Sequence, residues 1–146
     1  MKKLYETQAT ATGGRSGQVK SENGVLDMQV RTPKALGGAN DDFLNPEMLF
    51  AAGYSACFDS ALNLVIKQQK IKTGETSVTV KVAIGQLESG GYGLAAEIHA
   101  NIPGVSMEEA QNLIKTAHKV CPYSNATRGN IEVILGSVDE TEKIAR

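Results

Sequence analysis

Asn45-Pro46-Glu47-Met48-Leu49-Phe50-Ala51-Ala52-Gly53-Tyr54-Ser55-Ala56-Cys57-Phe58 opens the stretch that decides the fold. Asn45 carries a helix-capping side chain, Pro46 suits the first helical position, and Glu47 complements the positive end of the helix dipole. From Met48 to Ile66 the sequence is apolar on nearly every face, interrupted by Gly53, Ser55, Asp59, Ser60 and Asn63. Its length would suit a bilayer, but Asp59 and Asn63 lie inside it and its ends lack an aromatic belt. A helix apolar all round in a water-soluble chain is buried on all sides. In a chain this small, that predicts a helix sandwiched between sheets or packed against a second subunit. The polar run Lys67-Gln68-Gln69-Lys70 ends it.

Working outward, residues 4–12 are rich in Thr and Tyr and predict a strand, followed by the loop Gly13-Gly14-Arg15-Ser16-Gly17. Residues 18–22 and 25–31 flank Asn23-Gly24, the dipeptide suited to a two-residue type I′ hairpin turn. Beyond the helix, residues 77–87 alternate apolar and polar side chains with period two, Glu88-Ser89-Gly90-Gly91 turns the chain, and residues 92–102 supply the partner strand. Ser106-Met107-Glu108-Glu109 is a capping box ahead of a helix with Ala110, Leu113, Ile114 and Ala117 on one face. Cys121-Pro122 interrupts it, a short helix over 122–128 ends at Gly129, and residues 131–138 close as a strand. The fold class is α+β with antiparallel hairpins.

The chain has 146 residues, with 15 basic and 16 acidic side chains and a formal net charge of -1. With 41% hydrophobic residues and no linker or repeat, it is expected to be a single domain over 1–146. Near-neutral charge without a basic run offers no footprint for nucleic acid or an anionic membrane surface. Met1-Lys2-Lys3-Leu4-Tyr5-Glu6 has no apolar stretch behind its lysines, so no signal peptide is expected and the chain reads as cytoplasmic.

Cys57 and Cys121 are the only two cysteines, too few for a disulfide scaffold and too far apart for a Cys-x-x-Cys pair. Space-filling is the commonest role of a buried free cysteine. Zinc would recruit His99 and His118, but the four residues lack two closely spaced ligand pairs, and no metal site is expected. His118, near a helix C-terminus, is placed where a partly positive ring is favourable. Redox chemistry needs a thiolate, and a thiolate needs a cation or donor nearby. Arg15, in its glycine loop, is the candidate cation, and Glu47 can hold its guanidinium by a bidentate contact. Each also has an ordinary alternative, an exposed loop arginine and a helix-dipole carboxylate.

The quoted stretch from Asn45 to Phe58 closely resembles the first cysteine motif of the organic hydroperoxide resistance proteins, the Ohr branch of the Ohr/OsmC family. Val120-Cys121-Pro122-Tyr123-Ser124-Asn125-Ala126-Thr127-Arg128-Gly129-Asn130 looks like the second, and residues 13–17 match the family's arginine loop. Met48 and Ser55 stand where relatives often have Gln and Ala. The resemblance runs over essentially the whole chain. It implies a fold of antiparallel sheets wrapped around long central helices in an intertwined homodimer, with active sites at the subunit interface. It also implies a thiol peroxidase that reduces organic hydroperoxides, fatty-acid peroxides included. Cys57 would be the peroxidatic cysteine and Cys121 the resolving one, with Arg15 and Glu47 activating the thiolate. No cofactor would be bound. The reductant would be an external dithiol, a dihydrolipoyl group on a partner protein.

Phe50, Tyr54 and Phe58 around Cys57 would suit an alkyl chain, or equally plain core packing. In a straight helix Glu47 and Cys57 are separated by about 15 Å along the axis. One site for both therefore predicts either a break near Gly53 or a Glu47 donated by the other subunit. Two other functions fit the same fold: a non-enzymatic carrier of hydrophobic ligands, and a thiol redox sensor. A peroxiredoxin fits less well, because Tyr54 stands where that family has Thr or Ser three residues before the attacking cysteine.

Overall fold

The structure, a computed structural model, describes residues 1–138; residues 139–146, which the single-domain expectation includes, lie outside the described residues. The chain divides into two compact units, the first spanning Met1–Leu49 and the second beginning at Phe50.

The first unit holds a three-stranded antiparallel sheet of β1 (Ala9–Thr12), β2 (Gln18–Ser21) and β3 (Asp27–Gln29) in that order. The strand expected over 4–12 forms only from Ala9, because β2 leaves for its turn after Ser21, the partner of Ala9. Leu4 and Tyr5 are thus left without a strand to pair with and are exposed. The β2–β3 hairpin is centred on Asn23-Gly24 as expected, but its turn is not type I′. Gly24 has φ 73° while Asn23 does not enter the left-handed region, and type I′ requires both residues there. Instead Gly24 N donates to Ser21 O, and the Asn23 side chain accepts from Val25 N at 3.0 Å, in a loop of five residues between the strands. A single parallel bridge, Val30 to Leu44, joins the sheet's exit to the segment before the next helix.

Helix α1 (Pro46–Gln68) begins as predicted, with Asn45 Oδ1 accepting from Met48 N at 2.8 Å. It runs through Gly53 without a break, so the predicted interruption there is absent. Gly53 has another use. A Cβ at that position would lie 2.8 Å from the Tyr123 hydroxyl, so the missing side chain is what lets the tyrosine ring lie against the helix.

The expectation of burial on all sides is also corrected for the single chain. Tyr54, Phe58, Ala61, Leu62, Val65 and Ile66 are buried on one face, while Met48, Ala52, Ala56, Ser60 and Leu64 form an exposed stripe on the other. By length and composition α1 would be long and apolar enough to cross a membrane. Its inner polar residues are accounted for: Asp59 accepts from the Thr76 hydroxyl at 2.6 Å, and the Asn63 amide donates to the same hydroxyl at 2.8 Å. They tie the helix to the segment that enters the next strand.

The second sheet has β4 (Ser77–Gln86) and β5 (Tyr92–Asn101) as the predicted antiparallel hairpin. Helix α2 (Met107–Val120) follows, with the Ser106 hydroxyl accepting from Glu109 N, then α3 (Pro122–Thr127). β6 (Glu132–Val138) then pairs with β5 in parallel. The sheet is therefore mixed, a difference from the all-antiparallel expectation. A strand that returns by way of a helical crossover arrives in the same direction as the one it left. Side chains from α1, β4, β5 and α2 form one hydrophobic cluster that includes Ile98, Leu113, Ala117 and Cys121.

Candidate redox site

In the first unit, Arg15 sits in a single turn of 3-10 helix, Gly14–Ser16, between β1 and β2. Gly13 and Gly14 have φ 76° and 55°, which admit the turn, and Ser16 N closes it on Gly13 O at 2.9 Å. Gly17 is required by space: a Cβ there would meet Thr12 O at 1.7 Å. The turn presents the guanidinium to Glu47, with Nη1 donating to Oε2 at 2.8 Å and Nη2 to Oε1 at 2.5 Å. This is the bidentate geometry in which arginine binds a carboxylate most strongly. The Arg15 bonds hold the Glu47 carboxyl below its ordinary value against a smaller opposing effect of burial. In return Glu47 raises the affinity of Arg15 for its proton. The pair predicted from a loop arginine and a helix-start glutamate is thus made within one chain.

In the second unit, α1 carries Cys57, and Cys121 stands at the junction of α2 and α3. Cys121 N donates to Ala117 O at 2.8 Å, ending α2, while its Sγ accepts from Ser124 N at 3.5 Å, capping α3. Pro122, in first position after the cap, cannot continue the α2 hydrogen-bond ladder and so forces the corner. The corner brings the two sulfurs to 3.7 Å. Cys121 is fully buried and Cys57 partly so.

Burial pushes the Cys57 thiol above its ordinary value; the Tyr123 backbone N–H opposes this, and the Cys121 sulfur adds to the rise. The state favoured here is therefore a neutral S–H···S contact. Cys121 Sγ donates to Cys57 Sγ in that contact, a direction that also suits a Cys57 thiolate.

Behind Cys121 lies a buried hydroxyl network that the sequence did not reveal. Tyr54 Oη lies 2.9 Å from Ser124 Oγ and 3.1 Å from Thr127 Oγ1, and Ser124 Oγ lies 2.8 Å from His118 Nδ1. Arg128 closes the outer side, Nη2 donating to His118 O at 2.5 Å. Ser124 thus joins the network to the sulfur: its hydroxyl is held by Tyr54 and His118 while its amide points at Cys121. The available signal was Ser124 and Thr127, spaced three apart on one face of a helix that follows a Cys-Pro corner. His118 is not the partly positive ring expected at a helix end. Burial first, then the charge of Arg128, lowers its pKa and favours the neutral ring.

Of the three side chains expected against an alkyl chain, Phe50 is partly buried and packs edge-on to Tyr54, with centroids 5.9 Å apart. Tyr54 and Phe58 are completely buried core side chains. His99, mid-strand in β5, lies 3.2 Å from Glu97 Oε2. Among the described residues, no three His, Cys, Asp or Glu side chains converge as a metal site.

Residues 38–136 match the family described as OsmC-like protein, and the chain is 52% identical over 135 residues to the organic hydroperoxide resistance protein of Xanthomonas axonopodis pv. citri, covering 92% of this chain and 94% of that one. The chain belongs to the OsmC-like family, on its organic hydroperoxide resistance branch. Solved structures of the family agree. An organic hydroperoxide resistance protein from Elizabethkingia anophelis is 74% identical, with a TM-score of 0.92, covering 95% of this chain and 99% of that chain. The OhrB protein of Bacillus subtilis is 40% identical with a TM-score of 0.84, covering 93% and 100% respectively. The α+β fold predicted for an Ohr/OsmC relative is therefore the fold of this chain.

Proposed function

We propose that this OsmC-like chain is a thiol-dependent peroxidase that reduces organic hydroperoxides to alcohols. The observation that carries the reading is the 3.7 Å approach of Cys57 and Cys121, brought together from positions 64 residues apart by a built corner. In the reaction, the Cys57 thiolate attacks the distal peroxide oxygen and the O–O bond breaks. The departing alkoxide takes a proton to become the alcohol, and Cys57 is left as a sulfenic acid. Cys121 then attacks the Cys57 sulfur, a disulfide forms, and hydroxide leaves with the thiol proton as water. A disulfide needs the sulfurs to close to about 2.05 Å, a short movement from where they stand. An external dithiol, dihydrolipoamide or a lipoylated protein, reduces the disulfide by exchange and is itself oxidised to its cyclic disulfide. No bound cofactor is needed. Dependence on re-reduction suits a reducing compartment such as the cytoplasm.

Arg15, fixed by Glu47, is the cation assigned to the thiolate. An unbroken α1 separates Glu47 from the Cys57 of its own chain by about 15 Å of helix axis. We therefore infer a homodimer in which the pair of one subunit serves the thiols of the other. The exposed stripe of Met48, Ala52, Ala56 and Leu64 on α1 supports an assembly that covers it.

The test has two parts. Reduced protein mixed with tert-butyl hydroperoxide should form one Cys57–Cys121 disulfide per chain and release one alcohol, with turnover on dihydrolipoamide; Cys57→Ser protein that still consumes peroxide overturns the mechanism. Mixed dimers of Cys57→Ser and Arg15→Ala chains should recover activity at one of their two sites, whereas recovery of nothing would mean that pair and thiol act within one chain.

A further inference from the structure

The protons in the buried cluster behind Cys121 can be counted. Tyr54 and Ser124 are fully buried and Thr127 nearly so, and their hydroxyls bond to protein atoms. Four contacts link the group: His118 Nδ1 to Ser124 Oγ at 2.8 Å, Ser124 Oγ to Tyr54 Oη at 2.9 Å, Tyr54 Oη to Thr127 Oγ1 at 3.1 Å, and Thr127 Oγ1 to Ser124 O at 3.2 Å. Each contact needs one proton, and the three hydroxyls carry one apiece. The fourth proton comes from the imidazole.

The direction of every bond follows from that count. Ser124 O is a carbonyl and can only accept, so the Thr127 hydroxyl donates to it. With that proton committed, Thr127 Oγ1 accepts from Tyr54, Tyr54 Oη accepts from Ser124, and Ser124 Oγ accepts from His118 Nδ1. The imidazole therefore carries its proton on Nδ1. A proton on Nε2 alone would reverse the first three bonds and leave Thr127 none for the carbonyl. Burial and the charge of Arg128 favour the neutral ring, whose Nε2 is then bare. The chain of bonds also has a place in the fold. It starts on α2 at His118, crosses to α3 at Ser124 and Thr127, and takes in Tyr54, which lies on α1 one turn before Cys57. Cys121 is the corner that it spans, and the Ser124 amide donates to the Cys121 sulfur at 3.5 Å. All the hydroxyl protons are used inside the chain, so it passes none to the sulfur. What it does is fix where Cys121 stands.

We propose that His118, through its Nδ1–H, is a positioning residue for the attack of Cys121 on oxidised Cys57. The kinetic part rests on the peroxidase reading; the tautomer does not. In the step concerned, a bond forms between Cys121 Sγ and Cys57 Sγ, the S–O bond of the sulfenic acid breaks, and the Cys121 thiol proton leaves with the hydroxide as water. His118 neither gains nor loses a proton. The sulfurs must close from 3.7 Å to about 2.05 Å, and the directed chain keeps Cys121 on that approach.

The tautomer is read on the unaltered full chain, by two-bond nitrogen–proton NMR of isotope-labelled histidine near neutral pH. His118, assigned by the loss of its signals in His118→Asn, should show hydrogen on Nδ1 and a bare Nε2; hydrogen on Nε2 instead overturns the proposal. Quenched-flow samples taken after mixing with tert-butyl hydroperoxide, resolved by intact mass, then separate sulfenic acid from disulfide. His118→Asp offers only an acceptor to Ser124, and should slow disulfide formation about tenfold while leaving sulfenic acid formation within about twofold. His118→Asn, whose amide N–H stands in for Nδ1–H, should restore most of the rate. Thermal melts confirm that each variant is folded. Equal slowing of both steps, or an Asn variant as slow as the Asp one, overturns the proposal and leaves His118 a packing residue. If the unaltered chain forms no sulfenic acid, the peroxidase reading fails and diamide replaces the peroxide. Diamide adds to one thiol, and the second thiol displaces it as the hydrazine, two electrons passing from the sulfurs to its N=N bond. The same order of variants in that displacement supports the positioning role, and equal rates in all three proteins overturn it.

Discussion

Residues 1–49 bury only Val30 and Leu44 among their hydrophobic side chains, whereas the second unit seals Tyr54, Phe58, Leu62, Ile98, Leu113 and Cys121 almost completely from solvent. β1 and β3 are exposed at every position; β5 is exposed at one end only. The two regions also treat charge differently. The first keeps cations as ions, one paired with Glu47 and one held by neutral acceptors. The second buries Cys121 fully and Cys57 partly, and that burial favours the proton on Cys57. Arg15 and the thiols thus lie in different units, and burial around the thiols opposes a thiolate. On the peroxidase reading proposed above, reactivity arises where cation and sulfur meet.

The sharpest way to break this contrast is to remove the sulfur. Cys57→Ser should lower peroxidase turnover by about 10³-fold or more, as for the loss of a covalent nucleophile. Cys121→Ser should still release alcohol in a single turnover but stop there, leaving a sulfenic acid that a dimedone-type reagent captures and that excess peroxide drives to the sulfinic acid. Mass spectrometry of the intact chain distinguishes the two. Equal behaviour of both variants would mean that attack and resolution are not divided between the cysteines.

Removing the cation instead should cost about 10²-fold in the rate of sulfenate formation, on the scale of losing one preorganised charge contact. The pH profile carries the sign. Burial holds the Cys57 proton on, above an ordinary thiol value near 9.0, so without Arg15 the thiolate fraction grows only as pH rises past that value. The Arg15→Ala rate should therefore climb through the alkaline range, while the unaltered protein reaches its plateau at lower pH. Identical profiles would leave Arg15 as a structural partner of Glu47 only.

Next in size is the network behind Cys121. Tyr54→Phe deletes one hydroxyl and leaves those of Ser124 and Thr127 short of a partner in a site closed to water. It should lower stability by about 1–2 kcal/mol in urea unfolding. It should also slow disulfide formation relative to sulfenate formation, because Ser124, whose amide holds Cys121, loses one of its two side-chain anchors and keeps only His118. A smaller effect comes from His118, whose pKa lies below the ordinary value of 6.5. Its unfolded form binds a proton more readily, so folding stability is fully present above that value and falls as pH drops through the lower folded one. His118→Gln, which keeps a polar side chain near Ser124, should flatten the fall, as urea midpoints between pH 7 and pH 5 would report.

These effects divide along the same line as what the sequence made legible. Local chemistry was readable where neighbours in sequence are neighbours in space: the Asn45 cap, the β4–β5 hairpin, the Ser106 cap and the Cys121-Pro122 corner all formed. The Arg15–Glu47 pair was within reach of reasoning, since a glycine loop and a helix start are each strong local signals. The Tyr54–Ser124 contact was not, because it joins residues 70 positions apart and no periodicity encodes which hydroxyl meets which. The parallel entry of β6 was hidden for the same reason, its register being set by the packing of α2 and α3 rather than by its own alternation. At the β2–β3 turn the dipeptide was right and the turn type wrong, because the Asn23 side chain bonded within the loop instead of entering the left-handed region.

The finest discrimination comes from Gly53, whose helix-breaking character suggested a bend that α1 does not have. If its purpose were backbone freedom, Gly53→Ala would disturb the helix. If its purpose is room for Tyr123, two opposing terms meet. Alanine stabilises a helix interior by about 1 kcal/mol relative to glycine. The new methyl would face the Tyr123 hydroxyl at 2.8 Å and the ring edge at 3.1 Å, a contact with the far end of a side chain that is 40% exposed and free to swing outward. The net change in stability should therefore stay within about 1 kcal/mol of zero. The displacement should be felt by the neighbouring backbone, because the Tyr123 N–H is the donor that opposes the rise in the Cys57 thiol. Gly53→Ala should accordingly leave the urea midpoint nearly unchanged while moving the pH midpoint of Cys57 alkylation by iodoacetamide upward. A fall in stability with no movement of that midpoint would return Gly53 to a purely helical role.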